Sequence, residues 1–279
     1  MQVITQVKTY SNIAQPITPY SRFGDADYLA VMCHEISTPL NVIIGLSRIL
    51  ADVECSPTKK KECSEMLRDS SNMLMELMKN MLDYSKIDSG MLEIEDINFD
   101  LVRVMQEAAN IIASKAHEKG LDLHVHIEKC PRQFIGDPLR MRQIILNLLS
   151  NAVKFTEKGN VTLYVNVTAD DYGNDQLCIT VADTGIGMSE NSLEKIFGKY
   201  AQANSSISRE YGGTGLGLSI SQDLAHMMNG NIDVKSWPGM GSHFIVALPL
   251  QKIPNTASPM LVKPPTGNLI RYNQLCGKE

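Results

Sequence analysis

The stretch VMCHEISTPLNVIIGLSRIL, Val31 to Leu50, has the pattern of one long amphipathic helix. Apolar residues within and just before it recur at spacings of three and four, which places them on one helix face; they are Leu29, Met32, Ile36, Leu40, Ile43 and Leu50. Because an α-helix turns by roughly 100° per residue, His34 lies almost opposite the centre of this stripe and faces water. Thr38 shares that outer face, and Glu35 lies on its flank.

His34 is a candidate nucleophile, although a single exposed histidine is most often a solvated surface residue. Glu35 follows it directly, and Thr38-Pro39 comes just after. A carboxylate that hydrogen-bonds one ring nitrogen makes the other nitrogen a better nucleophile. A zinc protease is excluded, because its H-E-x-x-H motif needs a second histidine where this chain has Thr38.

Two helices are predicted in the first 90 residues. The first runs from about Asp25 to Val53, and the second follows the turn at Pro57 and ends at Ser89-Gly90. Their apolar stripes would be too exposed in a monomeric hairpin. We therefore expect a homodimer in which two hairpins form a four-helix bundle. The alternative is that the hairpin packs on the following domain of the same chain.

From about Glu93 the predicted strands and helices mix without regular β-α-β alternation. One helix is predicted from Leu101 to Glu118 and a strong one from Pro138 to Phe155, and a short one is expected around Leu193 to Phe197. Such mixing predicts a mixed sheet with helices on one face, so the fold class is α+β. The predicted domains are a linker or the end of an upstream region at 1–24, the helical hairpin at 25–90, an α/β sandwich domain at 93–250 and a flexible tail or linker at 251–279.

Composition excludes several classes of protein. A net charge of −5 and a pI near 5.7 leave no basic field for nucleic acid. No apolar run approaches the ~18 residues that cross a bilayer. The six cysteines are scattered without a C-x-x-C pair, which is typical of reduced cytosolic thiols. We expect a cytoplasmic fragment without membrane contact, and leave open whether a longer protein is membrane-anchored.

A polar edge on the Pro138 to Phe155 helix has the chemistry of a nucleotide site. Asn147 and Asn151 are four residues apart and project from one side of the helix, and Lys154 follows about one turn later. Amide oxygens in this register can hold a hard cation such as Mg²⁺, and a lysine can meet phosphate as a point charge.

Two glycine-rich segments complete the pattern. Asp183 ends an apolar strand, where its carboxylate can accept an amine hydrogen, while Gly185 and Gly187 let a flat ring approach the backbone. The segment from Gly212 to Gly217 opens a helix, whose free amides and dipole suit phosphate oxygens. One glycine-rich loop is weak evidence, but three such elements in this order are strong.

These motifs resemble those of sensor histidine kinases between about Asp25 and Leu250. His34, Glu35, Thr38 and Pro39 match the H-box, H-E-x-x-T-P. The segments NLLSNAVKFT, DTGIGM and GGTGLGL are similar to the N-box, G1-box and G2-box of the catalytic domain. The resemblance implies an ATP-binding domain of the fold shared with gyrase-type and chaperone ATPases, and a dimeric phosphoacceptor hairpin. The linker-like ends suggest a piece of a longer protein, such as a hybrid kinase.

The resemblance also implies roles for residues, with ATP and Mg²⁺ as cofactors. Asp183 would read the adenine amine, and Asn151 would carry Mg²⁺ with help from Asn147. The expected phosphate-closing turn consists of Gly213, Thr214, Gly215, Leu216 and Gly217. Phe197, in IFGKYAQ, would match the F-box, although Gly198 and Lys199 depart from it. Ser37 stands where the family usually has arginine.

The implied reaction is ATP-dependent autophosphorylation of His34, with Glu35 holding the ring and accepting its proton. The phosphoryl group would pass to an aspartate of a response-regulator receiver domain, and Thr38 would position water for receiver dephosphorylation. Two alternatives are a gyrase- or chaperone-type ATPase that drives conformational change and a non-catalytic dimer scaffold. Ser/Thr protein kinases and P-loop enzymes are excluded, because their signature motifs are absent from the sequence.

Overall fold

The computed structural model describes residues 25–51, 56–128, 130, 133–169, 175–198, 215–249 and 270–273. Within these residues the chain forms two compact units, which meet in the sequence between Leu92 and Glu93. The first unit is a helical hairpin, and the second is an α/β unit. The predicted linker at 1–24 lies outside the described residues, as does most of the predicted tail.

The hairpin consists of α1 (Asp25–Ala51) and α2 (Pro57–Asp88), as predicted. Ser56 begins α2, because its hydroxyl oxygen accepts a 3.3 Å hydrogen bond from the backbone N–H of Lys59. Pro57 follows as the first helical residue, where its missing N–H costs nothing. Gly90 has a φ of 66° just past the end of α2, a conformation that glycine adopts readily.

The buried seam of α1 differs from the predicted stripe. Met32 and Leu46 are 2% and 7% exposed, and Pro39 between them is also buried. Leu40, which was expected in the stripe, is 42% exposed. A single partner helix covers only a narrow face, so residues seven apart are buried and Leu40, one position past Pro39, lies on the flank.

The α/β unit contains two sheets. A small antiparallel pair is formed by β1 (Ile97–Asp100) and β3 (Gln133–Gly136). The larger sheet has six strands in the order β6-β7-β5-β4-β2-β8. Its strands are β2 (Asp122–Ile127), β4 (Asn160–Ala169), β5 (Asp175–Asp183), β6 (Asn231–Trp237), β7 (Gly241–Pro249) and β8 (Ile270–Asn273). Strand β2 pairs in parallel with β4 and β8, and the other pairs are antiparallel, so the sheet is mixed as predicted.

Helices α3 (Leu101–Glu118) and α4 (Pro138–Phe155) have the predicted bounds. Alternate residues of β4 and β5 are at most 1% exposed and form the core with α4; they are Val161, Leu163, Val165, Leu177, Ile179 and Val181. The remaining described helices are α5 (Glu190–Leu193) and α6 (Gly217–Met227).

Two predicted segments differ from the structure. The short helix expected around Leu193 to Phe197 is instead α5, which begins after Ser189 and is followed by turns. Strand β8 lies inside the segment that was expected to be a tail, and it extends the sheet beyond β2. Among the described helices, none has both the length and the apolar content needed to cross a membrane.

Candidate functional site

His34 is exposed on α1, on the side of the helix away from the buried seam. The hydroxyl of Thr38 donates a 3.1 Å hydrogen bond to the backbone carbonyl of His34, and Ser37 does the same to Cys33 at 2.6 Å. Glu35 is half-buried, and no hydrogen bond between described residues joins it to the imidazole. The ring of His34 is therefore open to an incoming group, with the hydroxyl of Thr38 held one turn away.

Asn147 is fixed between two helices of the α/β unit. Its Nδ2 donates a 2.8 Å hydrogen bond to the hydroxyl of Ser221 in α6, and its Oδ1 accepts a 3.5 Å bond from Nδ2 of Asn151. Gly217 begins α6 so close to Asn147 that an added Cβ would overlap the Asn147 amide. The contact explains why glycine stands at this position: α6 starts directly against the helix that carries both asparagines.

The donor chemistry at Asn151 fits Mg²⁺. Asn151 is half-buried, and its Oδ1 accepts no hydrogen bond from the residues that the structure describes. An amide oxygen is a hard ligand of the kind that Mg²⁺ prefers, and Mg²⁺ in nucleotide sites takes most other ligands from phosphate and water. The described residues contain no group of three or more acidic, histidine or cysteine side chains that would form an all-protein metal site.

Asp183 presents an acceptor at the end of β5. It is 6% exposed, and its Oδ1 accepts hydrogen bonds from the backbone N–H groups of Gly185 at 2.8 Å and Ser242 at 3.3 Å. Its Oδ2 accepts none from the described part of the chain. Burial raises the pKa of Asp183 above its usual range, while the two amides and His243 act in the opposite direction. A buried carboxylate with one open oxygen suits an amine donor.

The backbone around Asp183 is held by the β6–β7 hairpin. Gly187 has a φ of 62°, and an added Cβ would overlap the carbonyl of Trp237. At Gly241, a Cβ would overlap the carbonyl of Asp183. Ser242 and Gly241 are therefore parts of the site that sequence reasoning missed, and the only local signal was the glycine content of the WPGMG turn.

The other predicted nucleotide residues are partly described. Lys154 is half-buried, and its Nζ lies 4.8 Å from the ring centre of Phe155. Gly215 has a φ of 67°, and the fully buried Leu216 leads into Gly217 at the start of α6. Phe197 is half-buried in the turns after α5. Gly213 and Thr214 lie outside the described residues.

Two family models match these two units. Residues 26–90 match the His Kinase A (phospho-acceptor) domain, and residues 136–252 match the histidine kinase-, DNA gyrase B-, and HSP90-like ATPase. The second domain alone is shared by several kinds of ATPase, whereas the phosphoacceptor hairpin distinguishes the kinases. The chain belongs to the histidine kinases.

Similar proteins with known names support this family assignment. The histidine-protein kinase BarA of Escherichia coli K12 is 41% identical over 231 residues, which are 82% of this chain and 25% of BarA. The autoinducer 2 sensor kinase/phosphatase LuxQ of Vibrio parahaemolyticus is 34% identical over 92% of this chain and 30% of LuxQ. The crystal structure of full-length ShkA with AMPPNP superposes with a TM-score of 0.60 at 28% identity, covering 81% of this chain and 46% of ShkA. The chain thus spans about a quarter of the length of BarA.

Proposed function

We propose that this chain is the catalytic core of a longer, hybrid-type sensor kinase, which phosphorylates His34 from ATP and passes the phosphoryl group to an aspartate of a receiver domain. One observation carries the proposal. His34 is the only histidine in residues 26–90, which match the phosphoacceptor domain, and its side chain is exposed. Since the reaction consumes ATP, it belongs in the cytoplasm.

In this proposal ATP binds in the α/β unit. The open Oδ2 of Asp183 accepts a hydrogen from the adenine amine. Gly185 and Gly187 shape the loop beside it, because each packs against a backbone carbonyl, that of Phe155 or Trp237, which an added Cβ would overlap. Lys154 and the turn from Gly213 to Gly217 contact the phosphates. The AMPPNP bound in the ShkA structure supports an adenine nucleotide as the ligand.

The metal would be held by Oδ1 of Asn151, with Asn147 orienting that amide through their hydrogen bond. The chemistry that Mg²⁺ supplies when bound is neutralisation of negative charge on the phosphate oxygens. Asn147 itself is already engaged by Ser221 and Asn151, so we assign it a supporting role.

The transfer forms a bond between phosphorus and a ring nitrogen of His34, and breaks the bond between the γ-phosphorus and the bridging oxygen of ATP. The electron pair of that bond leaves with ADP. Glu35, the neighbouring carboxylate, accepts the proton that the imidazole loses. In the second step the phosphoryl group moves from nitrogen to a carboxylate oxygen of the receiver, and His34 is regenerated.

Thr38 is proposed to act in receiver dephosphorylation, where its hydroxyl positions the attacking water. Its hydroxyl lies one turn from the imidazole and is exposed, which supports a contact with a receiver docked at His34. The name of LuxQ, a sensor kinase/phosphatase, supports a second activity of this kind.

The hairpin is proposed to form a homodimer. Its exposed apolar residues are more numerous than a solvated pair of helices requires; they are Leu40, Val42, Ile44 and Ile49 on α1, and Met66, Met73, Met75, Met78 and Leu82 on α2. A second hairpin would cover these flanks in a four-helix bundle.

Labelling with γ-³²P-ATP and Mg²⁺ tests the proposal. The wild-type chain should acquire label that acid removes and base does not, as expected for phosphohistidine. His34→Ala should abolish the label, whereas His117→Ala, which removes an exposed histidine of α3, should retain it. Label that persists in His34→Ala would refute the assignment.

The same experiment separates the alternatives. A gyrase- or chaperone-type ATPase would release phosphate without labelling the protein, and a scaffold would do neither. Asn151→Ala should lose Mg²⁺-dependent ATP binding, and unchanged affinity would remove Asn151 from the metal site.

A further inference from the structure

The carboxyl end of α4 has an unusual set of hydrogen-bond partners. The last four carbonyls of an α-helix have no partner within the helix. In α4 the carbonyl of Ala152 accepts from the hydroxyl of Thr156 at 2.7 Å. The Lys119 ammonium donates to the carbonyls of Val153 at 2.8 Å and Lys154 at 2.9 Å, and also to that of Thr156 at 3.4 Å.

The carbonyl of Phe155, the last residue of α4, connects this helix end to the loop that follows Asp183. The carbonyl of Phe155 accepts a 3.2 Å hydrogen bond from the backbone N–H of Ile186. Gly185 lies against the same carbonyl, because an added Cβ there would overlap it. Lys119 and Ile186 therefore bind adjacent carbonyls of one helix terminus, from segments that precede and follow α4 in the sequence.

Lys119 extends from a fixed point of the backbone. It follows the last residue of α3, and Gly120 after it has a φ of 72°. The N–H groups of Gly120 and Leu121 donate to the carbonyls of His117 and Ala116, both at 2.9 Å. This is the hydrogen-bond pattern that ends many helices, and it leaves Lys119 little backbone freedom. Its side chain is exposed, but its charge lies at the negative end of the α4 dipole, where a cation is favourable.

We infer that Lys119 is a positioning residue for the nucleotide site. Its ammonium neutralises the negative partial charge at the carboxyl end of α4. In this way it holds Lys154 in place for the phosphate contact, and it holds the Phe155 carbonyl, which bonds the loop after Asp183, in place for the adenine contact. The inference rests on the proposed function, because it assigns those contacts to ATP. The hydrogen bonds of the Lys119 ammonium to described residues go to backbone carbonyls at the end of α4, and none goes to Asp183 or Asn151. Lys119 therefore acts through the helix end.

The first test measures ATP affinity with Mg²⁺ by calorimetry on the whole chain. Lys119→Met, which keeps the length but not the charge, should raise Kd about tenfold, or roughly 1.4 kcal/mol. Lys119→Arg retains charge and donors and should stay within about threefold of wild type. Lys115→Met removes an exposed charge one turn earlier in α3 and should leave Kd unchanged. Equal Kd values for Lys119→Met and wild type would overturn the inference, as would an Arg variant as weak as the Met variant.

The second test is amide hydrogen exchange without nucleotide. The Ile186 N–H should exchange faster in Lys119→Met than in wild type, while amides in the centre of β4 keep their rates. A uniform acceleration would indicate a purely global loss of stability and would overturn the positioning role. This measurement needs no ATP, so its result does not depend on the proposed function. The proposed function would fail separately, if the wild-type chain bound no nucleotide.

Discussion

The side-chain amide of Asn147 in α4 donates a 2.8 Å hydrogen bond to the hydroxyl of Ser221 in α6. Ser221 is 2% exposed and lies four residues into the helix that begins at Gly217. The bond ties the helix that carries the two asparagines to the helix that follows the glycine-rich turn. The position of α6 is therefore linked, through Asn147, to the amide of Asn151.

Ser221→Ala should leave the Nδ2 of Asn147 without an acceptor. The expected loss is about 0.5–1.5 kcal/mol in the free energy of unfolding, measured with urea, which is the net contribution of one hydrogen bond, since Asn147 is half-buried. ATP affinity should fall as well, because the Asn147 amide loses its fixed orientation. Ser219→Ala is the matched control, since it removes a buried hydroxyl that bonds only locally to Leu216 in the recorded contacts. Equal ATP affinity in the two variants would contradict this coupling.

Asp183→Asn should lower ATP affinity while raising stability at neutral pH. The new amide nitrogen is a donor where the carboxylate had an acceptor, so it would face the adenine amine, which is also a donor. Burial raises the pKa of Asp183 in the folded state, so the ionised form destabilises the fold at pH values above that pKa.

The gain in stability should therefore shrink as the pH falls. The wild-type carboxyl takes up its proton first in the folded state, and below its unfolded pKa of about 3.9 the penalty is absent. Urea unfolding of both proteins at several pH values measures the difference. A difference that stays constant from neutral to acidic pH would mean that ionisation of Asp183 is not its cause.

Two glycines near the site form a matched pair. Gly187 and Gly239 have φ values of 62° and 74°, but only at Gly187 would a Cβ overlap another backbone group. Gly239→Ala should cost about 1–2 kcal/mol from the left-handed conformation alone. Gly187→Ala should cost more and should also weaken ATP binding, because Trp237 must move. Thermal unfolding and ATP titration compare the two, and equal losses in both would refute the role of the overlap.

The described cysteines should differ in alkylation rate. Burial, with smaller contributions from Glu128 and Cys178, raises the pKa of Cys130 to about 12. Since the thiolate is the reactive form, Cys130 should remain unmodified by iodoacetamide at pH 8 while the exposed Cys33 reacts. Peptide mapping by mass spectrometry resolves the two sites. Faster labelling at Cys130 would contradict its burial.

The sequence predicted the elements whose patterns are long. The bounds of α3 and α4 followed from apolar periodicity over 18 residues and from the proline that begins α4. Short elements were harder, since α5 and β8 have four residues each and too few periods to read. The predicted burial of Leu40 was also wrong. The spacing of apolar residues predicts a stripe on the helix, but it does not show which part of that stripe the partner helix covers.

The residues of the candidate site also fall into two groups, those that local sequence motifs predicted and those that they missed. Asn147, Asn151 and Asp183 were found from local motifs, and their roles stay predictions until they are tested. Ser221, Ser242 and Lys119 were missed, because each contacts the site from at least 34 positions away in the sequence. Nothing in their own neighbourhoods distinguishes them from other serines and lysines.

Periodicity and side-chain chemistry are properties of neighbouring residues. The sequence by itself therefore determined the order of the longer helices and strands, the water-facing side of His34, and the groups suited to metal and nucleotide. The tertiary structure alone decided which oxygen of Asp183 stays open, which residues hold the end of α4, and where backbone approaches leave no room for a Cβ. These depend on distances between segments far apart in the chain, which close packing fixes only when the whole unit has folded.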